Sequence, residues 1–169
     1  MIEGERMKPR VLWIEDSARF ELNNLTGPIY FYGNYDFQQV EDVTTAVNFL
    51  MAKSFDVLIV DIRLPPGTDP YWKDLYQNVA ADGGGEKLGI KFLYWLLSQD
   101  GNYQQKPPEW VSPDLIGVFT VENYQEIHEK LDYLGIKVFK HKSAGLSDTT
   151  LLDLIEEILA QKLGGRKKQ

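Results

Sequence analysis

Residues 56–67 read DVLIVDIRLPPG. Val57–Val60 is an unbroken apolar run, Asp61 follows it at once, and Pro65 and Pro66 close the segment. A strand with one wet face alternates apolar and polar side chains. A run without alternation reads as a strand covered on both faces, as in a parallel sheet between helices. An acidic group at the tip of such a strand is foreign to a core. It suits chemistry, because open α/β sheets bind ligands beyond the carboxyl ends of their strands.

The same pattern recurs along the chain. VLWI (11–14) runs into Glu15-Asp16, LIGVF (115–119) into Thr120, and the weaker IKVF (136–139) leads to Lys140 and Lys142. YDFQQVE (35–41) is more polar and belongs at a sheet edge. Helical stripes fall between these runs: Val43, Ala46, Val47 and Leu50 in 43–53; Leu88, Phe92, Trp95 and Leu96 in 86–97; Tyr124, Ile127, Leu131 and Leu134 in 122–134; Leu151, Leu152, Ile155, Ile158 and Leu159 in 148–162. Gly135 is a helix stop and Ser147 an N-cap. A first helix is expected near Ser17 but meets Gly27-Pro28, so it is short or broken. Strands alternating with helices predict an α/β fold with right-handed crossovers.

The 169 residues bound a single domain, expected over 9–163, with a flexible N-terminus (1–8) and a basic flexible tail (164–169). A hydrophobic fraction of 43% and an aromatic fraction of 12% supply a real core. With no cysteine, a disulfide scaffold, a thiolate metal site and a cysteine nucleophile are excluded, and a reducing cytoplasm fits. A net charge of −7 argues against direct nucleic-acid binding; the basic GGRKKQ end is short. No window approaches the ~20 apolar residues of a membrane span. Two connections, 68–85 and 99–113, are long for a small domain and are expected to be loops.

If the strands lie side by side, three carboxylates (Glu15, Asp16, Asp61), the Thr120 hydroxyl and a lysine ammonium converge on one crevice. Clustered acids repel, and a raised pKa or a bound cation must relieve them. Oxygen donors without His or Cys suit Mg²⁺. A carboxylate can act as nucleophile toward phosphorus, with Lys and Thr holding the phosphoryl oxygens. Each residue alone has a plainer reading. Acids favour a helix N-terminus, Asp suits a turn, Thr120 caps the helix after it, and lysines face water. The argument rests on the set, in this order, each at a strand end.

VLWIEDS, DVLIVDIRLPPG, GVFTVEN and LGIKVFKHKSA together resemble the receiver domain of two-component response regulators. The resemblance covers about residues 8–162, apart from the two long connections. It implies a flavodoxin-like (CheY-like) five-stranded parallel sheet of order 2-1-3-4-5 with helices on both faces. Counted from Gly135 and Thr120, the family's lysine falls on Lys142 rather than Lys140, and Phe139 takes the place of the switch aromatic. The family's chemistry would then put Mg²⁺ on Glu15, Asp16, Asp61 and the carbonyl of Arg63. Asp61 would be phosphorylated by a histidine kinase or a histidine phosphotransfer protein, and Thr120 and Lys142 would contact the phosphoryl oxygens. Phe139 would move with Thr120 and reshape the face read by a downstream protein target. Receivers often pair through that face, which leaves a homodimer open. Chemistry would be confined to the chain's own phosphorylation and dephosphorylation, so it is not expected to be an enzyme. No output domain follows, so a stand-alone receiver or a piece of a longer protein is expected.

Several residues depart from the family pattern. Ser143 stands where a proline follows the lysine, and Val121 where a small residue is common. Residues 68–85 enlarge the loop after the acceptor strand and carry Tyr71, Trp72, Tyr76 and Gly83–Gly85. These aromatics would form a lid over Asp61, a partner site, or a surface excursion pinned by its own rings. Two rival functions follow: a phosphate-independent receiver-like binding module, and a Mg²⁺-dependent phosphohydrolase of the haloacid dehalogenase kind. The second is disfavoured because Arg63 sits where that family needs its second acid. GGGEK lacks the spacing of a phosphate-binding P-loop.

Overall fold

In a computed structural model the apolar runs pair into one parallel sheet. Residues 8–16, 20–81, 87–98, 102–143 and 145–167 are described. The strands are β1 (Arg10–Ile14), β2 (Asp36–Val40), β3 (Val57–Val60), β4 (Ile116–Thr120) and β5 (Val138–His141). Their spatial order is β2-β1-β3-β4-β5, all parallel, as expected. Every residue of β3 and β4 is buried, which is why their sequences do not alternate. The polar β2 is an edge strand.

The helices are α1 (Gly27–Tyr32), α2 (Val43–Ala52), α3 (Pro70–Ala81), α4 (Leu88–Ser98), α5 (Tyr124–Leu134) and α6 (Thr150–Lys167), with 3-10 turns at Phe20–Leu25 and Pro113–Leu115. They wind over both faces. Leu12, Ile14, Leu58, Val60, Ile116 and Val118 pack under α2, α3, α4 and α5. Val11, Trp13, Val57, Ile59, Phe119 and Val138 pack against Leu25, Ile29 and α6. Successive strand residues thus serve opposite layers.

The first helix is broken as expected: a 3-10 turn gives way to the six-residue α1, with Pro28 in its first turn and Gly33 at its left-handed C-cap. Its predicted start at Ser17 lies outside the described residues. Gly135 ends α5 in the left-handed conformation, φ 80°.

Three expectations need correction. Residues 68–85 are not a plain loop, because 70–81 form α3. Asp69 caps it, accepting the Tyr71 amide at 2.9 Å, and Pro70 follows at the first helical position. The helix does not end near 163, because α6 continues through Lys167, into the segment expected as the basic tail. Thr120 is not the cap of the helix after it; that place belongs to Asn123.

The aromatics of 68–85 are packing, not a lid. Trp72 is fully buried among Phe92, Trp95 and Tyr103. Tyr71 stacks on Tyr103 at 4.6 Å, and the Tyr103 hydroxyl donates to Asp69 at 2.6 Å. Trp95 Nε1 donates to the carbonyl of Gln105. The two long connections therefore clasp each other on the α2–α5 side. Gly83–Gly85 lie outside the described residues.

Candidate functional site

β1, β3, β4 and β5 end at one edge of the sheet, and the backbone hands each site residue to its neighbour. The Asp61 amide donates to Ile14 O at 3.1 Å, and the Lys142 amide to Thr120 O at 2.8 Å. The acceptor loop is anchored in turn. Pro65 and Pro66 accept the amides of Val43 and Thr44, while Asp42 caps α2 by accepting the Thr45 amide at 2.7 Å. Those contacts satisfy the open N–H groups of α2 and hold the loop after Asp61. Gly89 supports it from beneath, donating to Ile62 O at 2.8 Å.

The centre is a buried ion triad. Lys142 Nζ lies 2.5 Å from Glu15 Oε2 and 2.9 Å from Asp61 Oδ2. Glu15 is 1% exposed and Asp61 3%. The stem of Lys142 leads its ammonium over the Phe119 ring at 5.3 Å. Thr120 is fully buried beside them, and its Oγ1 accepts the Glu122 amide at 3.3 Å. Asp61 Oδ1 accepts the Arg63 amide at 3.3 Å. Lys140, by contrast, is exposed, so of the two lysines it is Lys142 that enters the crevice. Asp16 is half-buried at the position after Glu15. Phe139 is half-buried and packs on Tyr124, ring centroids 5.1 Å apart.

One ammonium serves two carboxylates, so negative charge is in excess. Burial first, then the nearby Asp61 charge, pushes the Glu15 carboxyl up to about 8, while Lys142 acts in the opposite direction. Glu15 Oε1 is buried with no hydrogen-bond partner. Hard oxygen donors with an orphaned oxygen and excess charge fit a divalent cation. In this arrangement the ammonium fills the gap between Glu15 and Asp61, and no three His, Cys, Asp or Glu side chains among the described residues close into a metal-holding group.

Sequence reasoning missed Glu122. It is 4% exposed and bonded to Arg63 Nε at 2.6 Å. The signal was its offset: Glu122 lies two residues past Thr120, as Arg63 lies two past Asp61. It also missed Gly89. A Cβ there would collide with the Asp61 carbonyl oxygen and come within 2.6 Å of Ile62 Cα.

No protein-family model and no curated protein matches this sequence. Solved structures do. The non-phosphorylated HemR receiver domain from Leptospira biflexa superposes with a TM-score of 0.57 at 19% identity, over 90% of this chain and 95% of that one. The BeF3-activated N-terminal receiver domain of Klebsiella pneumoniae RstA gives 0.55 at 17%, over 89% and 97%. The Mn(2+)-bound form of response regulator Rcp1 gives 0.52 at 16%, over 90% of each chain. The chain therefore has the receiver-domain fold, as the sequence motifs implied.

Proposed function

We propose that this chain is a phosphoacceptor receiver, and that Asp61 is its acceptor. The observation that carries the reading is the bridge from Lys142 to both Glu15 and Asp61, made by side chains 127 and 81 residues apart in sequence. A buried lysine tying a strand-end aspartate to a second acid is costly as mere architecture, and it is what a site for a phosphoryl group needs.

In this reading an oxygen of Asp61 bonds to phosphorus as the P–N bond of a donor phosphohistidine breaks. The bonding pair stays on that nitrogen. The imidazole, protonated on its other nitrogen, leaves neutral. Lys142 and Thr120 hold the phosphoryl oxygens, so the catalytic effect is charge neutralisation and positioning. Glu15, Asp16, Asp61 and the Arg63 carbonyl would hold Mg²⁺, which supplies further neutralisation of the phosphoryl charge. A Mn(2+)-bound neighbour of the same fold supports a divalent ion. The donor would be a histidine kinase or phosphotransfer protein. Phe139, packed on α5 through Tyr124, would relay the change at Thr120 to a protein target. The chemistry stays on the chain's own Asp61, with no turnover of other substrates. A cytoplasmic site follows from the kinase partner; the described residues include no helix long and apolar enough to cross a membrane.

The test is labelling by acetyl phosphate with Mg²⁺. Wild type should form one acid-stable, base-labile phosphate, and Asp61→Asn none. Wild type without label, and with tryptophan fluorescence unmoved by beryllofluoride, would leave the phosphate-independent module as the better reading. One observation favours that alternative: Ser143 follows Lys142 where the receiver pattern has a proline.

A further inference from the structure

Glu122 adds a buried negative charge beside the acceptor that the reading above does not use. Two cations answer it: Arg63 Nε at 2.6 Å and Lys87 Nζ at 3.6 Å, with Lys87 also 3.7 Å from Glu126. The pair is tied to the reacting groups through the backbone. The Arg63 amide donates to Asp61 Oδ1 and the Glu122 amide to Thr120 Oγ1, each at 3.3 Å. An ion pair thus spans the ends of β3 and β4, one partner hung from the acceptor and the other from the hydroxyl.

The two ends are unequal. Arg63 is 42% exposed and Glu122 only 4%, so the guanidinium can swing and the carboxylate cannot. A phosphoryl dianion on Asp61 would compete for that guanidinium, whose planar fork matches phosphate oxygens. Releasing Arg63 would strand a buried carboxylate at high cost, unless a second cation remains. Lys87 is that cation.

We propose that Arg63 exchanges partners on phosphorylation, leaving Glu122 for the phosphoryl oxygens while Lys87 keeps Glu122 neutralised. Glu122 is then a positioning residue that restrains Arg63 at rest and sets the rate at which Asp61 is modified. This rests on the phosphoacceptor reading; the covalent step is the one given above, and no reactant is added.

The experiment compares wild type, Glu122→Gln, Arg63→Met and the double variant in acetyl phosphate labelling with Mg²⁺. Urea midpoints in EDTA are measured alongside to confirm folding. Glu122→Gln removes the buried carboxylate that holds Arg63 and a repelling charge with it, so labelling should speed up about three- to tenfold. Arg63→Met removes the guanidinium that would meet the phosphoryl oxygens and leaves Glu122 to Lys87 alone, so it should slow labelling comparably, a shift of order one decade in rate. Lys87→Met should also slow it, by tightening the hold of Glu122 on Arg63. The EDTA midpoints should show coupling between positions 63 and 122. Glu122→Gln and Arg63→Met shifting the rate in the same direction, or no coupling, overturns the exchange while the acceptor reading stands. Wild type without label overturns both.

Discussion

Glu15 sets the pH response of the crevice. Burial and the Asp61 charge raise its carboxyl to about 8, so between the ordinary carboxylate range and that value the folded chain holds a proton the unfolded chain has released. The resulting stability is complete below the unfolded pKa and lost as pH rises through the folded one. In EDTA the urea midpoint of wild type should fall from about pH 5 toward about pH 8, and Glu15→Gln should flatten that slope. An equal slope in the variant would assign the effect to other groups. At Gly89, alanine would meet the backbone of Asp61 and Ile62 rather than a side chain able to move aside. Gly89→Ala should cost about 1–3 kcal/mol in urea unfolding, and more labelling than Gly117→Ala, whose nearest contact is the flexible end of Ile158. The acids at strand tips were legible in sequence because an ionised group ending an apolar run has few structural excuses. Glu122 was less so, since its offset from Thr120 is the one hint in VEN, and its burial shows only once Arg63 and Lys87 are seen to cover it.

Among the elements, α3 is the one that sequence reading left as loop. Its polar residues Lys73, Asp74, Gln77 and Asn78 obscure a stripe at Tyr71, Trp72, Leu75 and Tyr76, and the Asp69-Pro70 start signal was there to be used. What sequence alone does not supply is the second half of the contact: Trp72 is core only because Trp95 and Tyr103 close round it. Trp72→Ala should therefore destabilise the chain by about 3–5 kcal/mol. It should also expose the α3 amides to hydrogen exchange before those of β3. Unchanged α3 protection would mean the helix is held elsewhere. β1, β3 and β4 were read to within a residue, because burial on both faces writes itself into an unbroken apolar run, whereas β5, half exposed, begins two residues later than IKVF. The C-terminal helix overran its expected end, since two glycines after Leu163 look like a stop although α6 passes through them.

Across the molecule, the sheet brings residues from four strand ends to a single charge problem, to which the proposed divalent ion would be the external answer. Millimolar Mg²⁺ near pH 8 should raise the Tm, by the equivalent of about 2.7 kcal/mol at a hundredfold excess over Kd. The shift should shrink at pH 5, where Glu15 is protonated, and in Asp61→Asn. A pH-independent shift would place the ion elsewhere. The position of Lys142 has a further consequence for biosynthesis. Growing from its N-terminus, the polypeptide presents Glu15 and Asp61 well before their counter-ion, Lys142, has been translated. An arrested nascent chain ending ahead of β5 would carry two carboxylates with nothing to answer them. Such intermediates should be protease-sensitive on the ribosome, and their resistance should appear abruptly once residue 142 clears the exit tunnel.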